Sequence, residues 1–160
     1  MTNQAIIFTD GACLGNPGPG GYAAVVTIAG EEQIIVGREQ ATTNNKMEMT
    51  AAIKALEAVP QGLPIMIHSD SQYVIKGATE WLRGWKAKGW RKADGKPVLN
   101  QDLWQQMDAM MTGRKITWKW VKGHAGHPEN ERVDRLANWE AVRAAAGAGT
   151  DPTPIEAATA

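Results

Sequence analysis

Two short stretches decide how this chain folds: Ile6-Ile7-Phe8-Thr9-Asp10 and Ile65-Met66-Ile67-His68-Ser69-Asp70. Each is an apolar run rich in β-forming residues, closed by a hydroxyl residue and then an aspartate. Such runs read as strands, over 5–9 and 65–69. If the two are parallel, their carboxyl ends reach one edge of a sheet, where open α/β folds carry their sites. Asp10 and Asp70 then become neighbours. Aspartate also ends strands for reasons of turn chemistry alone, so it is the matched pair, more than either residue, that points to a site.

The rest of the chain builds outward from these strands. Residues 11–21 are glycine- and proline-rich and read as a turn; 22–28 and 33–39 read as two more strands around a turn at Gly30-Glu31-Glu32. Three linked strands predict an antiparallel meander. Thr42-Thr43-Asn44-Asn45 supplies N-cap chemistry. Residues 47–59 carry Met47, Ala51, Ala55, Leu56 and Val59 at helical spacing. A proline at each end of 60–64 breaks that helix before the second deciding strand. Short helices are expected over 71–77 and 80–88. A further helix, capped by Asn100, has the stripe Leu103, Trp104, Met107 and Met110 or Met111. Residues 115–121 alternate as a strand, and 130–146 form the last helix. The fold predicted is α/β: a mixed five-stranded sheet, antiparallel meander plus parallel strands, flanked by helices. It makes one domain over 1–146, with a basic segment over about 80–97, followed by a small, polar tail over 147–160 expected to be disordered.

Composition sets outer limits. The chain has 160 residues, 43% of them hydrophobic, enough for one core. Its 17 basic and 17 acidic residues cancel, so any nucleic-acid footprint must come from local clustering. Cys13 is the single cysteine, which excludes an internal disulfide and fits a cytoplasmic protein. The N-terminus has no basic lead into its apolar run, and no stretch is long enough to span a membrane.

Two more acids have positions worth weighing. Glu48 stands in the first turn of the first long helix and borders its apolar stripe through Ala52 and Ala55. Asn45 and Glu48 also have capping-box spacing, which is an equally good local account. Asp134 lies inside the last helix with Asn130 and Asn138 four residues either side, so no helical ion pair explains it. Converging carboxylates resist ionising together unless a cation is present. Mg²⁺ prefers such oxygen donors, and two ions about 4 Å apart can activate water against a phosphodiester. His124-Ala125-Gly126-His127 has too few partners for a zinc site.

Several longer motifs sit around these acids: Thr9-Asp10-Gly11, Gly15-Asn16-Pro17-Gly18-Pro19-Gly20-Gly21-Tyr22, Thr42-Thr43-Asn44-Asn45-Lys46-Met47-Glu48, Ser69-Asp70-Ser71-Gln72-Tyr73-Val74, and Trp120-Val121-Lys122-Gly123-His124 continuing to Arg132. In this order and spacing the chain resembles bacterial type I ribonuclease H from about Ile6 to Ala146. The resemblance implies a ribonuclease H-like fold and Mg²⁺- or Mn²⁺-dependent hydrolysis of the RNA strand of an RNA–DNA hybrid, leaving 5′-phosphate and 3′-hydroxyl ends. It places the metal-binding acids at Asp10, Glu48, Asp70 and Asp134, with one or two ions, and a mobile histidine at His124. Contacts to the hybrid fall on Cys13, Asn16, Thr43, Asn44, Asn45 and Gln72. Ala12 stands where relatives often carry a hydroxyl residue. A monomer with no obligatory protein partner is expected.

One segment has a charge of its own. Six cations fall within residues 83–96, against the single acid Asp94, and they alternate with Trp81, Trp85 and Trp90. The tryptophans read as a small local core; the cations read as phosphate contacts, and the segment resembles the family's basic protrusion. Lys86, Lys88, Arg91 and Lys92 are the expected contacts to the DNA strand. Three rival readings are disfavoured: an integrase-like nuclease by the order Asp, Glu, Asp, Asp; a non-catalytic hybrid-binding module by the presence of all four acids; and a reverse-transcriptase ribonuclease domain by the lack of polymerase sequence.

Overall fold

Alternation along the first deciding strand gives the sheet two buried faces, Ile7 on one side and Phe8 on the other. The computed structural model describes residues 4–122 and 128–147. Strands β1 (Ala5–Cys13), β2 (Gly18–Ile28) and β3 (Glu31–Thr42) form an antiparallel meander. Strand β4 (Ile65–Ser69) pairs in parallel with β1, and β5 (Ile116–Trp120) in parallel with β4. The order β3-β2-β1-β4-β5 makes the two deciding strands adjacent at the centre, with Phe8 opposite His68.

The helices are α1 (Asn44–Glu57), α2 (Gln72–Lys76), α3 (Leu82–Ala87), α4 (Gln101–Met111) and α5 (Pro128–Ala145). On one face Ile7, Ala24, Val26, Ile65 and Ile67 pack with Met49, Ile53 and Leu56 of α1 and Trp104 and Met107 of α4. On the other, Phe8, Ala23, Val25 and Val36 meet Val133, Ala137 and Ala141 of α5. The side chain of Trp104 is fully buried; truncating such a residue to alanine costs about 3–5 kcal/mol.

The structure departs from the sequence reading in four places, each with a packing reason. The glycine-rich stretch over 11–21 is mostly strand: β1 runs on to Cys13, opposite Gly20, and β2 begins at Gly18. Its glycines serve close approach, since a Cβ on Gly21 would lie 2.5 Å from Glu140 Cβ on α5. The β2–β3 turn falls on Ala29-Gly30, both at positive φ (53° and 81°), the mirror-image turn that suits strand twist. The two short helices expected over 71–77 and 80–88 are one helical run joined by a π-helical turn at Gly77–Trp81, where a Cβ on Gly77 would strike the Trp104 ring. Asn100 does precede α4, but in the left-handed region (φ 59°) and without capping through its side chain. Its amide donates instead to the Tyr73 hydroxyl at 3.1 Å, which also receives the Trp104 indole N–H at 3.2 Å.

Candidate active site

Parallel pairing of β1 and β4 carries Asp10 and Asp70 to the same edge of the sheet. Asp10 lies within β1 and is 2% exposed; Asp70 directly follows β4 and is half-buried. Glu48 arrives from α1. That helix is capped by Thr43, whose hydroxyl accepts from Lys46 N–H at 3.2 Å. The cap is therefore not the Asn45–Glu48 box, and Glu48 is free to point inward. What brings it there is Gly11: a Cβ on that residue would sit 2.5 Å from Glu48 N and 2.6 Å from Met47 C. Only glycine lets α1 ride this close to β1, and the Gly11 N–H then donates to Glu48 Oε1 at 3.1 Å and to Asp10 Oδ1 at 2.8 Å.

Asp10, Glu48 and Asp70 each bring a carboxylate oxygen within 4.8 Å of the others. Asp134, on α5, lines the same cleft, which has a volume of about 470 Å³. It stands outside that tightest group and is held by Asn138, whose amide donates to Asp134 Oδ1 at 3.2 Å and to its carbonyl at 2.9 Å. Asn138 and Ser71 complete the lining, neither singled out by the sequence reading. The signal for Asn138 was its place one helical turn beyond Asp134. No basic side chain is among the described residues lining the cleft.

The electrostatics follow from this crowding. Burial pushes the Asp10 carboxyl from its usual 3.8 up to about 8, with Asp70's charge and a hydrogen bond to Asp134 adding to it; hydrogen bonds from Glu48 and Gly11 oppose the rise. Glu48 is pushed well above the usual carboxylate range, first by burial and then by the charges of Asp10 and Asp70. The hydrogen bond between the two favours the charge on Asp10 and the proton on Glu48. Glu48 Oε2 is buried and accepts no hydrogen bond from any described residue. A proton shared within the carboxyl cluster, a water in the cleft or a cation can satisfy it.

The remaining sequence candidates fall in several places. Cys13, Asn44 and Asn45 line the carboxylate cleft, and Asn16 braces its rim through Oδ1, which accepts from Asn44 N–H at 2.8 Å. Thr43 is committed to capping α1. Gln72 lies in a neighbouring depression. On the basic segment, Lys88, Arg91 and Lys92 line one groove with Trp81 and Trp85. Lys86 does not join them: its Nζ pairs with Asp108 Oδ2 of α4 at 3.1 Å. His124 lies outside the described residues, as does the tail over 148–160.

A sheet that gathers three acids around the ends of its central strands, with a fourth on the same cleft, has the donor set for a hard divalent cation beside a phosphate-bearing substrate. The ribonuclease H family model matches residues 2–142, and the chain belongs to that family. It is 58% identical over 145 residues to a ribonuclease H of Thiobacillus denitrificans, covering 90% of this chain and 98% of that protein. Against a ribonuclease HI of Caulobacter vibrioides it is 54% identical over 138 residues, covering 86% and 93%. Among solved structures, LC9-RNase H1, a type 1 RNase H with the type 2 active-site motif, matches with a TM-score of 0.76 and 31% identity over 98% of this chain and 80% of that one.

Proposed function

We propose that this chain is an endoribonuclease that hydrolyses the RNA strand of RNA–DNA hybrids, and that Asp10, Glu48, Asp70 and Asp134 hold its divalent cations. The observation that carries the reading is the convergence of the carboxylate oxygens of Asp10, Glu48 and Asp70 within 4.8 Å, on a cleft with no basic side chain among its described lining residues. The unanswered Glu48 Oε2 and the raised carboxyls of Asp10 and Glu48 fit a site built to take up a cation. The all-oxygen donor set suits Mg²⁺, with Mn²⁺ as the alternative, and one or two ions. When bound, such an ion lowers the pKa of a coordinated water and offsets charge on the leaving oxygen.

The chain's own residues do the positioning. Gly11 N–H fixes the orientation of Asp10 and Glu48 together, and Asn138 fixes Asp134. Cys13, Asn16, Thr43, Asn44, Asn45 and Gln72 are the candidates for reading the hybrid's minor groove, where 2′-hydroxyls distinguish RNA from DNA. Lys88, Arg91 and Lys92 are assigned to the phosphates of the DNA strand, and Lys86 joins them only by leaving Asp108. His124 would assist proton transfer or product departure, and the products would carry 5′-phosphate and 3′-hydroxyl ends. Catalysis is assigned to residues 1–146 acting as a monomer in the cytoplasm; no described helix is long and apolar enough to cross a membrane.

The test is a cleavage assay on end-labelled hybrid, single-stranded RNA and duplex DNA, each with Mg²⁺, with Mn²⁺ and with EDTA. Cleavage confined to the RNA of the hybrid and abolished by EDTA is expected. Equal cleavage of single-stranded RNA, or activity that survives EDTA, would overturn the reading.

A further inference from the structure

Beside the carboxylate cleft lies a second depression of about 350 Å³, lined by Gln72, Ile75, Lys76, Glu80 and Trp120. Trp120 ends β5 and is 51% exposed. Its indole N–H donates to the carbonyl of Asp70 at 3.3 Å. That bond anchors the ring at the wall of the depression, one residue's reach from the carboxylates. A large aromatic surface held in place and left in water is what a stacking ligand uses.

The charges narrow the ligand. Lys76 and Glu80 offset one another, so the depression is close to neutral. A phosphate would prefer the groove of Lys88, Arg91 and Lys92. A nucleobase is neutral and planar, with donors and acceptors on its edge. The indole offers a stacking face, and Gln72, Lys76 and Glu80 offer complementary donors and acceptors. Inside a duplex the base faces are covered by one another, so away from a terminal pair only an unpaired nucleotide presents one. The depression adjoins Asp70, where the RNA strand would be cut, so the unpaired base belongs to that strand. Resting on the hybrid-cleaving reading, we infer that Trp120 is the platform for an unpaired base of the RNA strand where the hybrid ends. The chain then favours hybrids that continue into single-stranded RNA.

The test compares kcat/KM on a blunt hybrid and on hybrids whose RNA extends by a few unpaired nucleotides at the 5′ or the 3′ end. One stacked base should give the parent a preference of about 5- to 100-fold for one of the extended hybrids. Trp120→Phe keeps an aromatic face without the indole N–H and should retain most of that preference. Trp120→Ala should lose it while cleaving the blunt hybrid within about twofold of the parent. Equal treatment of blunt and extended hybrids by the parent overturns the inference and leaves hybrid cleavage standing. Equal loss on all substrates in Trp120→Ala overturns it by making Trp120 a support for Asp70. A parent dimer in sedimentation that Trp120→Ala dissolves would assign the depression to a second copy and overturn it as well. No cleavage of any hybrid by the parent removes both readings.

Discussion

Glu48 and Glu140 are both buried, 5% and 0% exposed, yet they keep opposite company. Glu140, on α5, faces Arg38 of β3, with Oε1 accepting from Nη1 at 3.1 Å. Glu48, on α1, faces Asp10 and Asp70. Taking a carboxylate out of water costs several kcal/mol unless a counter-charge and hydrogen bonds compensate. In the α5–β3 bridge the protein supplies that counter-charge itself. In the cleft it supplies more negative charge. The bridge has its counter-charge as folded, though Glu140 Oε2, like Glu48 Oε2, meets no hydrogen-bond partner among the described residues; the described lining of the cleft offers no counter-charge. Burial alone therefore does not mark a functional acid; the sign of its neighbours does.

The strongest way to break this comparison is to remove one charge from each region. Asp10→Asn should lower hybrid cleavage by well over 10²-fold, since disturbing even the outer shell of a metal site costs 10–100-fold. The same change should leave the metal-free fold as stable as the parent, or more so by about 1 kcal/mol, because it relieves like-charge repulsion. Arg38→Ala should do the reverse. It strands Glu140 in the interior and should cost about 3–5 kcal/mol of stability, with the turnover of the protein that remains folded little changed. Urea unfolding in EDTA beside single-turnover cleavage separates the two. If Asp10→Asn is markedly destabilised in EDTA, the acids of the cleft are structural and the contrast collapses.

That contrast was half legible in the sequence. The pairing of Asp10 with Asp70 followed from two similar strand endings, because strand period and parallel pairing are local rules with one strong outcome. Five strands in a mixed sheet, and the strand over Ile65–Ser69, followed in the same way. Glu48 was ambiguous because a capping box and a cleft-facing acid share the same spacing. What decides between them is Gly11, whose missing Cβ lets α1 approach, and no pattern within the helix carries that. The bridge from Arg38 to Glu140 was invisible, since 102 residues separate the partners. The strand over Gly18–Gly21 was missed for a related reason: glycine in a sequence speaks of turns, while here it makes room for α5. Lys86 was read with its basic neighbours, but its charge is committed across space to Asp108.

A smaller effect, in the pH dependence, sharpens the cleft half of the comparison. Burial and Asp70's charge raise Asp10 from 3.8 to about 8 in the folded state, and Glu48 shifts in the same direction. The folded protein then binds more protons than the unfolded chain between those values. Its metal-free stability is fullest below the unfolded pKa and falls as pH rises through the folded one. Mg²⁺ should restore the loss at the alkaline end, by about 2.7 kcal/mol at a hundred times its Kd. Urea midpoints at pH 5, 7 and 9, with EDTA and with Mg²⁺, read both effects. Asp10→Asn should flatten the pH profile and respond less to Mg²⁺. A metal-free parent whose stability rises from pH 5 to 9 would contradict the crowding.

The smallest effect concerns single cations on the basic segment, where paired and unpaired charges can again be set against each other. Lys88, Arg91 and Lys92 share a groove with Trp81 and Trp85, while Lys86 is held by Asp108. A phosphate that draws Lys86 away must first break that pair. An exposed pair of this kind is worth about 0–1 kcal/mol, enough to offset much of one phosphate interaction. Replacing Lys88, Arg91 and Lys92 together should reduce the slope of log K against log salt by about 0.7 to 0.9 for each phosphate no longer neutralised. Lys86→Ala should change it by less than one such step. Asp108→Asn, which frees Lys86, should move binding the other way and strengthen it at low salt. Anisotropy titrations of labelled hybrid in EDTA, from low to moderate salt, would resolve these slopes without cleavage. A Lys86→Ala slope change as large as that of Lys88→Ala would mean that the Asp108 pair opens freely, so that an intramolecular partner is no guide to which cations of this segment meet the substrate.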